Sequence, residues 1–82
     1  MQYPKIKSAR AIDEHTLMVE FSNAERRKYD ITPLLDKERF FPLKQLGFFR
    51  NFEIDSTGCA LIWNEEIDIS EYEIWLHGAK EV

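Results

Sequence analysis

At 82 residues the chain has room for one domain, 1–82, whose core removes only about 60–65% of the unfolded surface from water, so an active-site cleft would compete with the core for side chains. A net charge of -4 counts against a general nucleic-acid binder, because phosphate binding rests on clustered Lys and Arg, and favours a protein partner with a basic surface. One cysteine, Cys59, excludes an internal disulfide, the start Met1-Gln2-Tyr3-Pro4-Lys5 lacks an apolar leader, and no apolar run approaches the roughly 18–20 residues of a membrane span, so a cytoplasmic protein with no membrane association is expected.

Lys5-Ile6-Lys7-Ser8-Ala9-Arg10-Ala11-Ile12 has few large apolar residues, and its cations suit an edge strand that resists pairing with another chain. Asp13-Glu14 turns the chain into two runs that carry the strongest pattern in the sequence. Leu17, Val19 and Phe21 alternate onto one face of a strand, with Glu20 on the other and Met18 as an apolar exception. After Ser22-Asn23-Ala24, Tyr29 and Ile31 share one face of the returning strand, and Arg26, Lys28 and Asp30 the other. Arg27 falls on the apolar side and must either snorkel past the core or pair with an acid. Ala24 stands where a two-residue hairpin turn would take glycine for its left-handed backbone.

Thr32 and Pro33 read as a helix cap and first helical residue, with one helical turn over Leu34-Leu35-Asp36 that brings a leucine back to the sheet. From Phe40 to Phe52 the spacing of Phe40, Leu43, Leu46 and Phe48 or Phe49 predicts a short helix over the sheet, weakened at Gly47 and divisible there into two turns. Its aromatics are read as core, not as a base-stacking platform. Phe52-Glu53-Ile54-Asp55 and Cys59-Ala60-Leu61-Ile62-Trp63 form a second hairpin around Gly58, with Cys59 read as a small buried hydrophobe, and Ile67-Asp68-Ile69 adds a brief strand. Ser70-Glu71-Tyr72-Glu73 fits a capping box in which Ser70 takes the Glu73 amide proton and Glu73 reaches back to the Ser70 amide, flanked by an Ile69–Ile74 staple. A helix from about Glu71 to His77 follows, stopping at Gly78 before a loose tail. The whole reads as α+β: a small antiparallel sheet of two hairpins plus an N-terminal edge strand, with short helices including one at the C-terminus.

Chemistry is sparse. The chain has no glycine-rich phosphate loop, no metal-spaced Cys or His and no nucleophile elbow, so no catalytic residue, metal or cofactor is assigned. His15 beside Glu14 has the type of a general base but reads as a solvated turn residue, and His77 as a cation at a helix C-terminus. Glu65, Glu66 and Asp68 read as a solubilising acidic turn, with Asp68 between two isoleucines the least ordinary of the three. Residues 1–50 carry 10 Lys and Arg against 7 acids, and residues 51–82 carry 1 against 8. That asymmetry marks Glu65, Glu66 and Asp68 as partner-binding candidates, with Trp63 beside them read as core. Arg26 and Lys28 project together from the basic run.

The chain resembles the small prokaryotic family called domain of unknown function 2442 from Ile6 to about Trp75. The resemblance rests on Leu17-Met18-Val19-Glu20-Phe21, on Tyr29-Asp30-Ile31-Thr32-Pro33-Leu34-Leu35, on Phe40 through Leu43 with Phe49, and on Trp63 followed by Asp68-Ile69. Ala24 departs from the family's usual turn glycine, and Glu66 stands where a glycine is frequent. The resemblance implies a small α+β domain on antiparallel strands, similar to components of small paired operons; some members carry an appended helix-turn-helix, which this chain is not expected to hold. The expected function is a cytoplasmic interaction module, partner to a small co-encoded protein in a toxin–antitoxin-like pair. The alternative is a small RNA-directed enzyme or RNA binder using Arg26, Lys28 and exposed aromatics.

Overall fold

Leu17, Val19 and Phe21 are fully shut off from solvent, while Thr16, Met18 and Glu20 between them keep some exposure. This is the period-two pattern of a strand with one face in the core. The structure is a computed structural model describing residues 3–80; Met1 and Gln2, read above in a start without a leader, and Glu81 and Val82, expected in the tail, lie outside the described residues. The central strand β2 (Thr16–Phe21) pairs antiparallel with β1 (Ile6–Ala11) on one side and β3 (Arg26–Asp30) on the other. Ala24 has φ 72°. Its amide donates to the Phe21 carbonyl at 2.9 Å and the Phe21 amide to the Glu25 carbonyl at 2.8 Å, so the loop holds three residues and ends on the left-handed one.

Thr32–Asp36 forms a 3-10 turn as the Thr-Pro step predicts, but Thr32 is not its cap: that position falls to Ile31, without any side-chain hydrogen bond. The expected helix from Phe40 is a 3-10 segment, Glu38–Lys44, followed by one α-helical turn, α1 (Leu46–Phe49). Pro42 has no amide to donate, and the three-residue spacing of Phe40 and Leu43 is the 3-10 repeat, which stacks both on the buried side. Leu46 continues that spacing yet is 38% exposed, because the chain changes helix type before it; Phe49 takes the buried position.

The second hairpin does not extend the first sheet. The strands β4 (Glu53–Ile54), β5 (Ala60–Ile62) and β6 (Asp68–Ser70) make a separate three-stranded antiparallel sheet. Its inward Leu61 and Ile69, with Trp63 and Ile67 beside them, join the residues of β2 and β3 in one hydrophobic cluster. The two sheets are joined where the Ile6 amide donates to the Gly58 carbonyl at 2.8 Å. Gly58 has φ 75°, and a Cβ there would stand 2.9 Å from the Ile6 carbonyl oxygen, so both backbone conformation and space require glycine.

Ser70 caps the last helix, α2 (Glu71–His77), by accepting the Glu73 amide proton at 3.1 Å, and Ile69 and Ile74 are both buried as the staple requires. The reciprocal half of the capping box is absent. Glu73 turns its carboxylate to the Tyr29 hydroxyl at 2.8 Å instead, tying α2 to β3. Beyond α2 the chain is not a loose tail, because β7 (Ala79–Lys80) pairs with β3 and makes the first sheet four-stranded in the order β1-β2-β3-β7. Gly78 permits this return: a Cβ there would lie 3.0 Å from Cβ of Arg27 and 2.5 Å from the Ile74 carbonyl oxygen.

Two stability outcomes follow from this geometry. Ala24→Gly relieves the left-handed strain and is expected to raise stability by about 0.5–1 kcal/mol, the relief exceeding the added freedom of the unfolded chain; a lower denaturation midpoint contradicts it. Ser70→Ala leaves a first-turn amide unpaired and is expected to cost about 1 kcal/mol, whereas Ser70→Asp retains the cap and loses less; equal midpoints for all three proteins show that the cap contributes nothing.

Candidate interaction surface

The residues singled out from the sequence fall into two groups on two sheets. Glu65 and Glu66 occupy the turn between β5 and β6, and Asp68 opens β6; all three are exposed. Register adds what spacing did not show. Glu53, Ile62 and Asp68 stand directly opposite one another across β4, β5 and β6, on the side away from buried Leu61 and Ile69. The row is thus a half-exposed isoleucine flanked by two carboxylates. Beside it lies a depression of about 420 Å³ lined by Asn51, Glu53, Ile62, Trp63, Asn64 and Glu65.

Trp63 lines this depression and belongs to the core. It is 9% exposed, its Nε1 donates to the Phe49 carbonyl at 2.8 Å, and its ring stacks on Phe49 with centroids 6.4 Å apart. The turn that follows it is set by Asn64, whose side-chain oxygen accepts the amides of Glu66 and Ile67, both at 2.8 Å. Arg39, not foreseen from the sequence, arrives from the 3-10 segment: its Nε donates to the Glu66 carbonyl at 3.1 Å and its Nη2 lies 3.8 Å from Asp68.

The acidic half of the chain is therefore not one surface. Glu71 pairs with Lys5 at 3.3 Å, Glu73 serves Tyr29 and His77, and Asp55 folds into its own turn, where the Thr57 hydroxyl and then its amide hold the carboxyl below the usual range. Glu53, Glu65 and Glu66 make no ion pair among the described residues.

Arg26 and Lys28 lie on the outer face of the other sheet. Lys28 stands opposite Met18, which stands opposite Arg10; Arg26 stands opposite Glu20. Arg10, Arg26 and Lys28 are exposed and make no ion pair among the described residues, while Glu20 has Lys7 at 3.9 Å. The inward Arg27 does both things its position allowed. It lies 3.9 Å over the Trp75 ring and donates to the Trp75 carbonyl at 3.1 Å, and its other terminal nitrogen is 3.4 Å from Glu25.

The remaining titratable groups form local contacts. His15 Nδ1 is 3.1 Å from Asp30, whose carboxyl is held below the usual range by Thr32 first and His15 second. Glu73 lies 3.2 Å from His77 Nδ1, and burial followed by the Glu73 contact raises the Tyr29 phenol, keeping it a neutral donor. Cys59 is half-buried, and the basic neighbour the sequence did not reveal is Lys5, with Nζ 3.2 Å from the sulfur. Among the described residues no three His, Cys, Asp or Glu side chains gather as a metal would need, and no helix is long and apolar enough to cross a membrane.

Trp63 and the acidic turn separate on mutation. Trp63→Ala is expected to cost about 3–5 kcal/mol through the cavity it leaves, while reversing Glu65 and Glu66 to lysine is expected to leave the denaturation midpoint nearly unchanged. Urea denaturation of both variants checks this; a large loss in the lysine variant would make the acidic turn a structural element.

No curated protein and no solved structure matches the chain. Residues 6–80, which carry both sheets and every helix described above, match the family described as Protein of unknown function (DUF2442), and the chain belongs to that family.

Proposed function

We propose that the protein is an interaction module that takes a basic segment of a partner protein on the outer face of β4–β5–β6. The observation that carries this reading is the row Glu53–Ile62–Asp68 with Glu65 beside it: an apolar centre flanked by carboxylates, next to a depression lined by Trp63, which the core holds in place. A lysine- or arginine-flanked apolar residue complements it in charge and polarity. In this reading the setting is cytoplasmic, consistent with the lone cysteine, and the partner is a small co-encoded protein in a toxin–antitoxin-like pair, as resemblance to paired-operon proteins supports. An RNA-directed role has weaker support. Arg10, Arg26 and Lys28 share their face with Glu20 and Asp30, and none of the outward residues of β1, β2 and β3 is aromatic, so base stacking has no platform there.

The test uses the parent and a Glu53→Lys, Glu65→Lys double variant as bait in the native host. A basic protein retained by the parent at low salt is expected to be lost from the variant, and lost from both near 1 M salt, where the screening length falls to about 3 Å. Equal retention of the same protein by both baits would sink the proposal.

A further inference from the structure

Each sheet carries a three-residue row of the same format and opposite sign on its solvent face. Across β1, β2 and β3 the row is Arg10, Met18, Lys28; across β4, β5 and β6 it is Glu53, Ile62, Asp68. In both the flanking residues are exposed and the central one is half-buried. Neighbouring strands stand about 4.8 Å apart, so the flanking charges of either row attach to backbones about 10 Å apart.

We propose that the partner of the acidic face is a second copy of this chain, docked through its Arg10–Met18–Lys28 row. This deepens the reading above and rests on it. Met18 then covers Ile62, and the two cations meet Glu53 and Asp68; each row has the same charge at both ends, so the match holds in either direction. Face-to-face sheets pack about 10 Å apart, a gap that side chains from the two faces fill together. The depression beside Ile62, lined by Glu53 and Glu65, gives a long cationic side chain room to enter. Three charges oppose the fit, and each has a neighbour. Glu20 on the basic face is 3.9 Å from Lys7 and opposite Arg26, Asp30 on the same face is 3.1 Å from His15 Nδ1, and Arg39, bonded through Nε to the Glu66 carbonyl, meets Asp68 at 3.8 Å in a pair exposed on both sides, of the kind that contributes little. Because the two patches differ, a contact between two copies leaves one patch of each sign open, and association continues to larger species or closes as a ring.

The test is sedimentation equilibrium of the full chain at low salt over a concentration series. The weight-average mass of the parent is expected to rise above the 9.8 kDa of one chain as concentration increases. Reversing one row, Arg10→Glu with Lys28→Glu, or the other, Glu53→Lys with Asp68→Lys, is expected to raise the dissociation constant at least about tenfold, and mixing the two variants to restore association. Circular dichroism confirms that each variant is folded; should a reversal unfold the chain, the milder Arg10→Gln with Lys28→Gln gives a smaller loss of the same sign. A parent that stays at the monomer mass at every concentration overturns the proposal, as do folded reversals that associate like the parent or a mixture that fails to recover. A monomeric parent that still retains a basic host protein through Glu53 and Glu65 leaves the acidic-face reading standing and removes only the second copy.

Discussion

The structure depends on one strand having neighbours on both sides and a fully buried face. Leu17, Val19 and Phe21 have no exposure at all, and the inward residues of the second sheet reach the same cluster. A chain of this length has few large side chains to spare, so nearly every inward position is committed to packing. Two of those residues carry polar ends that burial would leave costly if unpaired, and both are paired across the fold: the Tyr29 hydroxyl to Glu73 and the Trp63 indole nitrogen to the Phe49 carbonyl, each at 2.8 Å. These bonds fix α2 against β3 and α1 against the residue that follows β5. With the interior filled, chemistry on this scaffold belongs to its outer faces.

Arg27 shows how far the core economises. An inward position of β3 holds a guanidinium, which lies over Trp75 while Trp75 packs edge-on against Phe21 at 5.2 Å. Stacking and the bond to the Trp75 carbonyl satisfy most of the group, but its Nε has no partner. That arrangement lets a charged side chain close the end of the core, and it needs α2 to come near β3. Gly78 allows that approach, and β7 follows from it.

What was legible in the sequence was local. Alternation placed β2 and β3, a non-glycine at the hairpin turn located Ala24 in the left-handed region, and the Ser70 cap and Ile69–Ile74 staple placed α2 within a residue. What was not legible depends on partners far along the chain. Glu73 has a near acceptor role at Ser70 and a distant one at Tyr29, 44 residues away, and the buried hydroxyl wins because an unpaired phenol in the core costs more than an unmade second half of a cap. The separation into two sheets has the same origin, since hairpins specify their own pairing and say nothing about which edge meets which. Ala79-Lys80 is too short to carry any period of its own.

The candidate surfaces divide along the same line. Glu65, Glu66, Asp68, Arg26 and Lys28, and Arg10 as an edge-strand cation, were legible as exposed charges; that Arg10 and Glu53 belong to rows was not, because membership of a row is a matter of register between strands, and Arg39 reaches Asp68 from a segment far along the chain. The format of the rows has a generic cause: on any three-strand face the central residue is shaded by its neighbours and tolerates an apolar side chain, while the flanking residues stand in water and are commonly charged. Format alone therefore implies no contact. The sign does not follow from the pleat or from burial, and here both flanks of one row are cationic and both flanks of the other anionic, with Arg10, Lys28 and Glu53 free of ion pairs among the described residues. Shape would admit either sign at these positions, so whatever docks between faces of this kind is selected by charge.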